Sequence, residues 1–253
     1  MEVHHHSHTS DPDSHRGRKK WTHYFWEFFM LFLAVTLGFF VENQREHYVE
    51  HQREKQYAFS MVEDLKSDTA ALNKIILLRT KRLEIIDSLF LLLNEPVDTN
   101  RLSDIYFYSL MVTRIAMLRF IYNDGTIQQL KTGSLRLIRN HLVSDSIVQY
   151  DSHVRRLEKV QEREELSIQD FNHYRFKIFD GHIYYKMITE NDRPRRPSGN
   201  PALLRHTEED LNNLITSLCF IKTANVAYRS FSIELRDKAA SLLNTIKKEY
   251  HLK

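Results

Sequence analysis

The chain has 253 residues, with 36 Lys and Arg against 33 Asp and Glu, a formal charge of +3. That balance gives no polyelectrolyte character, and the basic stretch Arg193-Pro194-Arg195-Arg196 has no interleaved aromatics, so nucleic acid is excluded as a partner. Only six Gly and five Pro leave two very long stretches without a helix breaker, and the lone Cys219 can form no internal disulfide.

Residues 1–20 form a polar, His-rich and basic tail. His4, His5, His6 and His8 could bind a transition metal, although a plain flexible tail explains them as well. Residues 21–41 follow as a transmembrane helix. The apolar run at 25–41 reads FWEFFMLFLAVTLGFFV and, as a helix, is about 25 Å long, the short end of what a bilayer core of about 30 Å requires. Trp21, Tyr24 and Trp26 place amphipathic rings at its basic end. A cleaved signal peptide is disfavoured because Leu37-Gly38-Phe39-Phe40-Val41 puts bulky residues where small ones are needed. A buried core helix is disfavoured because the run is apolar around its whole circumference. Phe28, Phe32 and Phe39 are the expected contact residues of this span. Glu27, its one ionisable side chain, lies near the basic end and is expected to anchor at the interface beside Lys19, Lys20 or His23. Arg16, Arg18, Lys19 and Lys20 carry no neighbouring acid, whereas acids and bases alternate after the span. The N-terminus is therefore expected in the cytoplasm and the rest of the chain outside it.

Residues 42–64 read as a membrane-proximal helical neck. Within it, His47-Tyr48-Val49-Glu50-His51 is an H-x-x-E-H string. On a helix His47 and His51 share a face and could hold zinc, with Glu50 as base. No third ligand is evident, so the string reads as a solvated face and no metal or other cofactor is expected.

From 65 to 253 the sequence predicts a helical bundle. Leu65, Thr69, Leu72, Ile76, Arg79, Leu83, Ile86, Phe90 and Leu93 repeat at 4-3 spacing, a heptad seam with two polar members. Its apolar members are the expected interaction seam for partner or self-association. A polar continuation through Tyr48, Gln52, Lys55, Phe59 and Val62 needs one register shift near Val62. After the break at Asn94-Glu95-Pro96, a second helix is predicted over 102–121. Asn123-Asp124-Gly125 is a turn, Thr126 opens a short helix, Gly133 closes it as a left-handed cap and Ser134 caps Leu135-Arg136-Leu137-Ile138. A long helix carries Ile147, Tyr150, Val154, Leu157, Ile168, Phe171 and Ile178. A loop spans 192–200, and Thr207-Glu208-Glu209-Asp210 launches a last helix to about Tyr250 with the seam Leu211, Leu214, Leu218, Ile221, Tyr228, Leu235, Ala239, Leu242 and Ile246. No segment sustains a period of two. The fold class is all-α: a transmembrane helix continuing into a long helix, then an elongated antiparallel bundle.

The strings MEVHHHSH, EFFMLFLAVTLGFF, ENQREHYVEHQREKQY and TIQQLKTGSLRLIRN resemble a group of uncharacterised bacterial single-pass membrane proteins with a short His-containing tail, one anchor and a helical domain. The resemblance implies that MEVHHH is native sequence and that the architecture is shared, and it carries no activity. The functional expectation is a non-enzymatic, single-pass protein of the bacterial inner membrane. Its extracytoplasmic bundle would serve assembly as a scaffold or accessory subunit, with the lipid bilayer and a homo-oligomer or membrane-protein complex as partners and no small-molecule substrate. A ligand-sensing bundle that signals through a partner is the alternative, followed by a metal-dependent enzyme using His47, Glu50 and His51.

Overall fold

A computed structural model describes residues 16–94, 96–116, 118–191 and 193–252, the side chains of 16–20 and of Ser134 excepted. The fold is all-α, with no strand among the described residues. Helix α1 (Arg16–Leu93) is followed by a 3-10 turn (Thr99–Arg101), α2 (Leu102–Ala116), α3 (Gly125–Gln129), one π turn (Leu130–Ser134), a 3-10 turn (Leu135–Leu137), α4 (His141–Ile178), α5 (Gly181–Met187) and α6 (Glu208–Glu249). The chain divides into two compact units, residues 1–53 and 54–253, so the last eleven residues of the expected neck belong to the bundle unit. In the first unit, the described side chains from Trp21 to Val49 are all exposed except Leu33, which is half-buried.

The second unit is a four-element bundle whose directions follow from its hydrogen bonds. Asp68 meets Tyr150 and Arg82 meets Glu164, the same 82-residue separation at both levels, so α1 and α4 run parallel. Glu54 meets Tyr250 and Arg79 meets Asn225, the partner number falling as α1's rises, so α6 runs antiparallel to α1. The stretch from α2 to α4 descends beside α1 in the same sense: Arg82 bonds Val112, Asp68 bonds Asn123 and Glu54 bonds Arg139. The result is an up-down-up-down bundle whose second leg is broken into pieces.

The breaks have local causes. α2 stops at Ala116, five residues short of the predicted end, because its continuation is drawn off by side chains of other helices. Tyr228 Oη accepts from Phe120 N at 3.1 Å, and the Leu118 carbonyl accepts from Arg79. Gly133 lies in the π turn and has no positive φ, and the described glycine that has one is Gly199, so the left-handed cap expected at Gly133 is not formed. The cap that starts α4 is Asn140, whose side chain accepts from Leu142 N and Val143 N. α6 starts at the predicted place, with a capping box between Thr207 and Asp210. The short α5, capped by Asp180, stands where no element was predicted.

Two apolar cores fill the bundle. The first joins Ala58, Met61, Leu65 and Leu72 of α1 to Ile127, Ile138, Val154 and the second half of α6. The second joins Ile86, Leu89 and Leu93 to α2, Phe171, Ile178 and the first half of α6. Every member of the predicted α6 seam is buried. On α1 the predicted seam is out of phase at alternate positions. The buried series is Glu54, Ala58, Met61, Leu65, Asp68, Leu72, Ile75, Arg79, Arg82, Ile86, Leu89 and Leu93, an unbroken 4-3 repeat that needs no register shift near Val62. Ile76 and Leu83 are only half-buried, and Phe90 is 39% exposed.

Candidate functional site: an apolar helical span and a buried ionic layer

In the first unit, α1 is the one helix among the described residues that is long and apolar enough to cross a membrane, and none of its most apolar window is buried within the chain. The anchor residues Trp21, Tyr24, Trp26, Phe28, Phe32 and Phe39 are all exposed, from 57% at Phe32 to 77% at Trp21. Helical spacing stacks Phe25 on Phe29 and Phe28 on Phe32, and sets Trp26 edge-on to Phe29, so large rings cover the basic half of the span. Thr36 returns its hydroxyl to the Phe32 carbonyl at 2.8 Å, which satisfies the run's one hydroxyl inside the helix. Glu27 lies one turn from His23, with its carboxylate 3.6 Å from Nε2.

The H-x-x-E-H string is helical as expected, with His47 Nδ1 3.9 Å from Glu50. No group of three or more His, Cys, Asp or Glu side chains converges among the described residues. His47, Glu50 and His51 are therefore not gathered with a further donor. His4, His5, His6 and His8 lie outside the described residues.

The bundle unit holds a constellation of charges that the sequence reading did not assemble. Between the two apolar cores, Glu164 of α4 accepts from Arg79 Nη1 at 2.5 Å and from Arg82 Nη1. Both guanidinium groups and the carboxylate are essentially without solvent contact. Asn225 of α6 closes the layer: its Oδ1 accepts from Arg82 at 3.2 Å and its Nδ2 donates to the Arg79 carbonyl at 2.9 Å. Tyr228 lays its ring 3.8 Å under the Arg79 guanidinium. Arg82 donates its Nε to the Val112 carbonyl at 2.7 Å but leaves Nη2 without a partner. Burial lowers Arg82 to about 10, against the opposing pull of Glu164. One carboxylate thus serves two buried cations. A third buried arginine, Arg175, is met by the Ser109 carbonyl and Thr113 Oγ1, both at 3.1 Å, and by the ring of Tyr184.

A second polar set fastens the broken leg to α1. Asp68 accepts from Tyr150 Oη at 2.6 Å and from both nitrogens of Asn123; Asp64 accepts from Thr126; Glu54 accepts from Arg139 N and from Tyr250 Oη. Burial holds the Asp68 carboxyl above its ordinary range, with the Tyr150 and Asn123 donors pulling the other way. The motif TIQQLKTGSLRLIRN is thereby tied down at both ends by acids of one helix face. Such groups hold structure.

The seven residues expected to form an interaction seam divide accordingly. Leu65 and Leu72 belong to the first core, Ile86 and Leu93 to the second, and they are closed to a second chain. Ile76 and Leu83 are half-buried and Phe90 is exposed. Arg82, Glu164 and Asn225 were missed, although a signal was present. Tyr150, Leu157, Glu164, Phe171 and Ile178 follow one another every seven residues, as do Leu211, Leu218, Asn225, Ser232, Ala239 and Ile246, so both polar residues occupy core positions.

No protein-family model matches this chain, and neither a curated protein nor a solved structure does.

Proposed function

We propose that the chain is a non-enzymatic, single-pass membrane protein of the bacterial inner membrane, N-terminus inside, whose helical bundle serves assembly as a scaffold or accessory subunit. The observation that carries the reading is the contrast between the units. The 21–41 stretch presents an apolar surface, broken only toward its basic end by His23 and Glu27, with no cover from its own chain, whereas the bundle gathers most of its large apolar residues into two cores of its own. Exposed rings and branched chains over a full helical circumference need lipid or another helix around them. Within the bundle, most of the buried polar groups bond one another or backbone carbonyls, which supports an architectural role.

The partners in this reading are the bilayer and either a second copy or another membrane protein. Since the core members of the α1 seam face inward, protein contacts fall to exposed residues such as Phe59, Leu77 and Leu91 on α1 and Phe220 on α6. Cross-linking in native membranes, followed by gentle detergent extraction, tests the reading. A discrete cross-linked species that survives extraction is the expected result, and a chain that stays monomeric in both steps overturns it. Reporter fusions after Lys253 test the orientation: activity of a cytoplasm-specific reporter reverses it.

A further inference from the structure

We propose that the basic tip of the broken leg, together with the end of α6, docks on the phosphates of an anionic phospholipid surface. The inference rests on the reading of 21–41 as a membrane span. The tip is the second half of TIQQLKTGSLRLIRN, from the 3-10 turn Leu135–Leu137 to the first turn of α4. Ile138 is buried and pins it to the bundle, while Arg136 and His141 are exposed and Leu142 is 73% exposed. A large apolar side chain in the first turn of a helix, six residues after the exposed Arg136, fits an interface whose outer layer is anionic and whose inner layer is apolar.

The same end of the bundle collects the last turn of α6. Glu54 Oε1 accepts from Arg139 N at 2.8 Å and from Tyr250 Oη at 2.7 Å, which brings the connector tip and the α6 terminus to one place. Lys247 and Lys248 thus join Arg136 and His141 there, with Asp145 and Glu249 as the exposed acids among them. Glu54, the acid at the centre of this end, is buried and engaged. The opposite end is mixed in sign where α6 begins, with Glu208, Glu209 and Asp210 in its first turn and Arg193, Arg195, Arg196 and Arg205 in the loop before it. Chain length keeps Glu54 within about 45 Å of the last apolar residue of the span. A cationic, apolar-tipped end tethered near a lipid surface finds a complementary partner in its phosphates.

The test uses the full chain carrying Cys219→Ser, with a fluorophore on Leu142→Cys or, as a control, on Leu204→Cys in the loop before α6. Each is reconstituted in vesicles of phosphatidylcholine alone, or of phosphatidylcholine and phosphatidylglycerol in equal parts, with a nitroxide on a fraction of the headgroups. Quenching at 142 should be stronger in the anionic vesicles, by about fivefold in the bound fraction, the scale of one cation engaging the surface. It should fall with salt and with the pair Arg136→Glu and Lys248→Glu, and position 204 should not respond. Equal quenching at the two positions, or no dependence on phosphatidylglycerol, overturns the proposal. Extraction by alkaline carbonate separates the two readings: a chain stripped from both vesicles defeats the span, while the quenching contrast at neutral pH still decides the docking.

Discussion

Glu164 sits 2.5 Å from Arg79 Nη1 in the middle of the bundle, and among the described residues it is also the sole carboxylate bonded to the buried Arg82. Two parallel helices, α1 and α4, are thus joined by charge at the level where the apolar cores part. Removing the carboxylate leaves two guanidinium groups buried without a counter-ion. Glu164→Gln should destabilise the bundle by about 3–5 kcal/mol, measured by urea unfolding in detergent. Replacing Arg79, Arg82 and Glu164 together by Met, Leu and Leu should be neutral or stabilising, because no charge is then left buried. A triple variant weaker than the single one would show that the layer stabilises in its own right.

Asp68 gives the bundle a pH dependence of definite sign. Its folded carboxyl lies above the ordinary value, chiefly through burial, so the folded chain binds this proton more tightly than the unfolded chain. The contribution is complete below the unfolded value of about 3.9 and is lost as pH rises through the folded value. Asp68→Asn removes that loss. The urea midpoint of the native chain should decline relative to the variant's between acid and neutral pH. A constant gap across the same range would show that Asp68 does not titrate differently in the two states.

The predicted cap of α6 offers a local measurement. Thr207→Ala removes the acceptor for Asp210 N, 3.1 Å away, and should cost about 1 kcal/mol. Thr207→Ser should restore most of it. Thermal unfolding of the three chains reads the difference.

The span is tested at its middle. Ala34→Arg places a charge where the helix is apolar on all sides, at a cost of about 2.5–3.5 kcal/mol on insertion. The variant should shift from the membrane pellet to the supernatant after alkaline carbonate. Retention equal to the native chain would argue that the run is not buried in lipid.

Zinc should be indifferent to the H-x-x-E-H string. The pair His47→Ala and His51→Ala should leave the metal content of the purified chain unchanged by elemental analysis. A stoichiometric loss would establish a site completed by donors beyond the described residues or from another chain.

Much of the bundle was legible because apolar periodicity reports burial directly. The α6 seam and its capping box stand where the sequence puts them, and α1 ends before Pro96 as predicted. Two of the displaced seam positions have a common physical source. Asp68 and Arg82 occupy core positions, and a periodicity read from apolar residues moves one place along the helix to Thr69 and Leu83 to avoid them. Their partners are on other elements, Tyr150 and Asn123 for the acid and Glu164 for the base, so single-helix patterning cannot show that they are satisfied. The break of α2 was hidden for the same reason: Arg79 and Tyr228, from two other helices, take the backbone groups that a longer helix would use.

The bond between Glu54 and Tyr250 has a practical meaning for anyone who builds on this protein. An even number of traverses returns the polypeptide to the end where it started, so a tag, reporter or fluorescent domain added at the C-terminus crowds the very end that carries the tether. The turns that join α1 to α2, and α4 to α6, cluster at the other pole and carry no such encumbrance. An insertion into the loop around Gly199 is therefore the gentler way to label this molecule.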